Sequence, residues 1–241
     1  GGGILNLGDL TVRRSVVRNN TGIRGAGIHT AQGDLRVLES EISHHFADFG
    51  GQGGGIFVES GTVALENTTV ALNVSLDFGG GLYNQSGVVT LLHATFAGNT
   101  SADMSGEAIY SVSSDGVEVR VQNSIIAGPF AGNLVDLGNN LLVNSSVAAG
   151  LDIHLDETPI LQANGGPTRT IALLGGSPAL GNAAPLAGFT TDQRGVARPQ
   201  GAAPDIGAFE RPLDTQDIDF PPIENQLANA SFALAATASS G

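Results

Sequence analysis

The stretch GGGLYNQSGVVTLLHATFAGNT, residues 79–100, is the cleanest copy of a unit that recurs through the first half of the chain. A Gly triplet leads into Leu82, and a turn follows at Gly87. Val89 and Leu91 then alternate with their neighbours, and Phe96 precedes a polar turn at Asn99. Other segments laid beneath it form vertical columns. The residue after the Gly-rich lead is Ile4, Ile28, Ile56, Leu82 and Ile109, at steps of 24, 28, 26 and 27 residues. A second set pairs Leu10/Val12, Leu35/Val37, Val63/Leu65, Val89/Leu91 and Val119/Val121. A third reads Val17, Ile42, Val70, Phe96 and Ile126, a small-residue column reads Ser15, Ser40, Thr68, Ala94 and Ser124, and each unit closes on Asn20, His45, Asn73 or Asn99.

A period this short and this regular belongs to a solenoid. Each copy holds three short runs of period-2 alternation rich in Val, Ile, Leu and Thr, broken by Gly or Asn, with no run long enough for an amphipathic helix. Three strands per coil of about 24–28 residues make an all-β parallel β-helix. Each strand then pairs with its equivalent one coil on, at ~4.8 Å. The columns become ladders of like residues inside a narrow core. A β-sandwich also uses short strands and frequent turns, but gives no reason for five copies in register.

The whole chain fits one solenoid domain, because stacked coils escape the size ceiling of a single globular core. Its formal charge is −13, from 23 acids against 10 bases. An acidic chain without basic clusters is poorly suited to a phosphate backbone, so no nucleic-acid partner is expected. Cysteine is absent, so disulfides and thiolate metal sites are excluded. No membrane-spanning segment or signal peptide is visible.

The regular coils occupy residues 1–128, and Pro129 falls where the turn Asn stood. Residues 129–160 read as one irregular coil with Asp136, Asp152, Asp156 and Glu157 on its surface. Residues 161–210 differ in kind: LQANGGPTRTIALLGGSPALGNA, then TDQRGVARPQGAAPDIGAFE, dense in Gly and Pro and hence in fixed turns. An acidic Pro-containing linker, 211–222, and an apolar tail, 223–241, complete the chain.

These residues carry a resemblance. The GGGI-x-N coils resemble those of bacterial surface proteins with a right-handed parallel β-helix. NGGPTRTIALLGGSPALG followed by DQRGVARPQGAAPDIGAFE is similar to the closing motif of the choice-of-anchor Q domain family. The match spans about residues 1–210. It implies an exported protein, extracellular or at the cell surface, with a structural or adhesive role. No sorting motif follows Glu210, so the resemblance does not extend to an attachment signal.

The fold hosts lyases, hydrolases, adhesins and inert spikes alike, so chemistry has to come from residues. A hydrolase needs paired carboxylates in one groove, and a lyase needs an acidic Ca²⁺ cluster beside a base. The acids of the coils are scattered, no catalytic residue stands out, and a non-enzymatic role leads. A polysaccharide lyase or glycoside hydrolase is the alternative. His44 and His45 read as a surface turn without a third metal ligand. Asp192, Arg194, Arg198 and Asp205 read as an ion-pair network pinning a C-terminal cap, with Phe209 packed on the final coil. No cofactor is expected. The spaced Asp214, Asp217 and Asp219 offer oxygens for Ca²⁺ but lack a recognisable Ca²⁺ loop.

Seven Asn-x-Ser/Thr sequons begin at Asn19, Asn67, Asn73, Asn84, Asn99, Asn144 and Asn229, most of them at repeat positions. The expected partners are surface glycans or copies of the chain itself. For the latter, Gly1 lies inside the repeat, so the first coil offers an open edge. The apolar stretch from Gln226 to Ala238, with Leu227, Phe232 and Leu234, is a candidate donor strand for a neighbouring copy, giving head-to-tail filaments.

Overall fold

The computed structural model describes residues 1–104, 106–145, 150–152 and 159–213, and the backbone of two short strands beyond them. Residues 1–211 form one compact unit. Three six-stranded parallel sheets run its length. The first stacks Ile4–Asn6, Ile28–Thr30, Ile56–Val58, Leu82–Asn84, Ile109–Ser111 and Phe130–Ala131. The second stacks Leu10–Arg13, Asp34–Leu38, Gly61–Glu66, Gly87–Leu92, Glu118–Gln122 and Leu134–Asp136. The third stacks Val16–Arg18, Glu41–Ser43, Thr69–Ala71, Thr95–Ala97, Ile125–Ala127 and Leu141–Val143. The chain visits the three in turn, coil after coil, which makes it a parallel β-helix. A fourth, shorter sheet of Thr21–Arg24, Phe46–Gln52, Val74–Ser75 and Thr100–Ser101 forms the corner between the third sheet and the next coil's first.

The sequence columns coincide with the pairing register. Ile4, Ile28, Ile56, Leu82 and Ile109 are successive partners, as are Val17, Ile42, Val70, Phe96 and Ile126. Ile42, Val70 and Phe96 are fully buried, while Ile4 and Val17, in the first coil, are only partly so. The irregular coil keeps all three sheets over a shorter path: Val119 pairs with Leu134 and Ile125 with Leu141. The bend between the second and third sheets places Arg14, Glu39, Asn67, His93 and Asn123 at φ of 46° to 52°. Among the described residues, only here do non-glycine residues of five successive coils share the left-handed region, a strained choice outside Asn that the surrounding ladders hold in place.

The polar end column is interior, which corrects the surface-turn reading of His45. The side chain is 1% exposed. Asn73 Nδ2 donates to Asn99 Oδ1 at 2.9 Å and to Ile42 O at 3.1 Å, and Asn99 Nδ2 donates to Val70 O. Backbone amides close the rungs: His45 N–H donates to Asn73 Oδ1 and Asn73 N–H to Asn99 Oδ1. His45 takes the Asn role with its ring. Its Nδ1 accepts from Asn20 N–H at 3.1 Å and its Nε2–H donates to Val17 O at 3.0 Å, so the neutral Nε2–H tautomer is the one that fits. Burial lowers its pKa to about 4.

The Gly/Pro-rich segment does not close the end of the helix. It lies along the outer face of the third sheet, and the reason is the residues facing out there. Ala71, Ala97 and Ala127 are small enough for a second chain to pack close. With Ile125 they form a second core together with Leu173, Ile206 and Phe209. Phe209 belongs to this second core. The outward column Glu41, Thr69, Thr95 and Ile125 supplies one docking contact per coil. Glu41 pairs with Arg169, whose Nε lies 3.0 and 3.1 Å from its oxygens. Thr69 Oγ1 donates to Gln193 Oε1, and Thr95 Oγ1 accepts from Ala208 N–H. At Ile125 the segment approaches so closely that a Cβ on Gly207 would stand 2.8 Å from the Ile125 side chain, at φ +93°. Only glycine fits both constraints.

Residues 212–241 form a separate unit. In it Ile218–Asp219 pairs antiparallel with Thr237–Ala238. Gln226, Leu227, Phe232 and Leu234, and the side chains of Asp214, Asp217 and Asp219, lie outside the described residues. So do Asp156, Glu157 and Asn229.

Candidate functional site

The four residues expected to pin a cap come together, around a fifth that the sequence reading passed over. Arg194 Nε donates to Asp192 Oδ2 at 2.8 Å, its Nη1 to Asn164 O, and its guanidinium lies 3.7 Å from the Phe209 ring centroid. Arg198 pairs with Glu210, Nη1 to Oε2 at 2.8 Å, and donates to the carbonyls of Asp205 and Gly207. Asp205 accepts from the Gly181 and Arg211 amides. The charged groups bond mainly to the segment's own turns and to one another, and their side chains are buried, so the network holds the flank.

A different region is open. Between the third sheet and the next coil's first, successive coils expose Ile23 (61%), Phe49 (89%), Leu76 and Met104 (75%), with Phe46 beside them. The fourth sheet brings their segments to one corner, because Phe46, Val74 and Thr100 are register partners, as are Ala47, Ser75 and Ser101, while the exposed side chains follow that register at differing offsets. The result is an apolar ridge parallel to the helix axis.

Beside this corner an aromatic ladder runs along the outer face of the first sheet, with Phe57 and Tyr83 buried and Tyr110 half-buried. Phe57 and Tyr83 stack at 5.3 Å and 10°, Tyr83 and Tyr110 at 5.2 Å and 5°. Phe78 leans on Tyr110 at 4.7 Å, and Arg24 sits over Phe57 at 5.4 Å. Parallel coils impose this stacking: Phe57, Tyr83 and Tyr110 are consecutive partners in one sheet.

Carboxylates stand among these rings. Asp77 and Asp103 each follow the paired Ser75 and Ser101 by two residues, so they occupy equivalent places one coil apart. Glu107 begins the next ascent. Partial burial, then repulsion from Asp103, raises the pKa of both Asp77 and Glu107. Burial also raises the Tyr83 phenol, with Tyr110 and Asp77 adding to the shift. The arrangement presents acceptor oxygens and phenol hydroxyls beside apolar surface, a combination that holds polyhydroxylated chains. The described residues include no group of three or more acids and histidines able to hold a metal ion.

Sequence reasoning missed this site for a specific reason. Its residues lie in the corner segments between coils, whose lengths vary, so they fall out of register when the copies are aligned. The sequons are also resolved. Asn67, Asn73, Asn84 and Asn99 are buried, and only Asn19 and Asn144 are exposed among the described ones. Among the described residues no helix is long and apolar enough to cross a membrane. No protein-family model, curated protein or solved structure matches the chain significantly.

Proposed function

We propose that the protein is an exported, non-enzymatic β-helix of the cell surface or extracellular matrix that adheres to glycan chains through the corner ridge. The single observation that carries this is the run of exposed apolar and carboxylate groups that successive coils place at the same corner. Isolated exposed apolar residues need no explanation, but a continuous row with a polar rim marks an interaction surface. A linear glycan laid along the axis meets exposed apolar or carboxylate groups on successive coils. The acidic surface disfavours polyanionic glycans, so neutral or amino-sugar polymers are the expected partners. The similarity of residues 161–210 to the closing motif of exported surface proteins supports the location.

A second reading has its own support. Asp77, Asp103 and Glu107 are coupled carboxylates, and two of them are held toward the protonated form. That is the ingredient a glycoside hydrolase or lyase requires for acid and base work. Incubating the protein with neutral and acidic polysaccharides and measuring both retention and reducing-end release separates the two. Retention without release supports adhesion. Release that vanishes in Glu107→Gln establishes the enzyme.

A further inference from the structure

A cavity lies at another corner, between the second and third sheets, where residues 188–191 of the flank segment meet the first three coils. Its volume is about 320 Å³, and Arg13, Arg36, Glu39, Glu66, Asn67 and Phe189 line it. The carboxylates are already bridged: Arg13 Nη2 lies 3.1 Å from Glu39 Oε1 and Arg14 Nε 2.6 Å from Glu39 Oε2, while Arg36 Nη2 lies 3.0 Å from Glu66 Oε1. Much hydrogen-bonding capacity is still left over. Arg36 spends only Nη2 and Glu66 only Oε1, which leaves several guanidinium N–H donors and a carboxylate acceptor uncommitted among the described residues.

Asn67 adds an independent observation. It is 6% exposed, its Nδ2 donates to Thr191 O at 3.0 Å, and its Oδ1 has no partner among the described residues. Buried acceptors are rarely left so, and Asn67 is among the residues that line the cavity. Phe189, steadied by His93 at 5.4 Å between ring centroids, supplies an apolar surface.

We propose that this cavity is a binding site for one small neutral polyhydroxylated molecule, a monosaccharide or disaccharide unit. Each ligand hydroxyl can donate to a carboxylate oxygen and accept from a guanidinium, while a carbon-bearing face rests on Phe189. A charged ligand must compete with an ion pair already formed on the wall to gain a partner of opposite sign. The site is separate from the corner ridge and stands or falls without it.

The test is titration calorimetry of the full chain with glucose, galactose, cellobiose and trehalose, and with glucuronate and glucosamine as charged probes. A neutral sugar is expected to bind, with affinity reduced about tenfold or more in Arg36→Ala and Phe189→Ala, about 1.4 kcal/mol. Glu66→Gln keeps the side-chain shape and should show the same loss, with melting curves confirming folded protein. Tyr110→Ala, on the ridge, should bind as the native chain does. Failure of every neutral probe to bind, tighter binding of a charged probe, or undiminished binding in Arg36→Ala and Glu66→Gln overturns the proposal.

Discussion

The interior histidine makes a quantitative prediction. His45 is neutral in the folded protein because both ring nitrogens are already committed and its surroundings are dry. Its pKa falls from the ordinary 6.5 to about 4. The unfolded chain therefore takes up a proton at higher pH than the folded one does. The stabilisation is complete above about pH 6.5, is lost as pH falls toward 4, and changes no further below that. At pH 4 the loss from this one group comes to about 3 kcal/mol. His93, buried and lowered to about 3, adds to the acid sensitivity of the native chain. The comparison with His45→Asn isolates His45, since both proteins keep His93. Asn is the residue that the ladder uses in neighbouring coils and does not titrate. Denaturant unfolding of both proteins at pH 7.5 and pH 4 gives the required difference. The native protein should lose about 3 kcal/mol more than the variant across that interval. Equal losses in the two proteins would show that His45 is not held neutral in the ladder.

Three further outcomes follow from the packing. Phe96→Ala empties the centre of the third interior column and should cost about 3–5 kcal/mol in unfolding free energy, read by denaturant titration; a cost near zero means that the column is not close-packed. Arg194→Ala leaves the Asp192 carboxylate buried without its cation and should cost about 3–5 kcal/mol, while retention of any ligand by the ridge stays unchanged. Expressed in a host that glycosylates exported proteins, the chain should carry glycan at Asn19 or Asn144 and none at Asn67, Asn73, Asn84 or Asn99; peptide mass spectrometry decides it.

How much of this was legible in the sequence depends on what repeats. Ile42, Val70 and Phe96 share a column because a narrow core asks the same of every coil, so alignment of the copies places them inside. His45 stood in that alignment too, under three asparagines, and its column was the signal that it is interior. It was misread because polar turn residues are more often solvated. The flank segment has no such periodicity. Its docking column of Glu41, Thr69, Thr95 and Ile125 is chemically mixed, since each residue answers a different partner in an irregular chain. Glu210 ends the IGAFE string, yet its pairing with Arg198 depends on turns that no pattern announces. The ridge was the least legible. Asp77 and Asp103 become neighbours only once the register of Ser75 and Ser101 is known.

The proposed function is tested most directly by incubating the purified protein with an array of insoluble and immobilised neutral polysaccharides, measuring retention and released ends in the same samples. Adhesion through the ridge predicts retention of the native protein, loss of about tenfold or more in Tyr110→Ala and Met104→Ser, and no release of reducing or unsaturated ends over prolonged incubation. Equal retention in native protein and ridge variants, or sustained release of oligosaccharides by the native protein, contradicts the account.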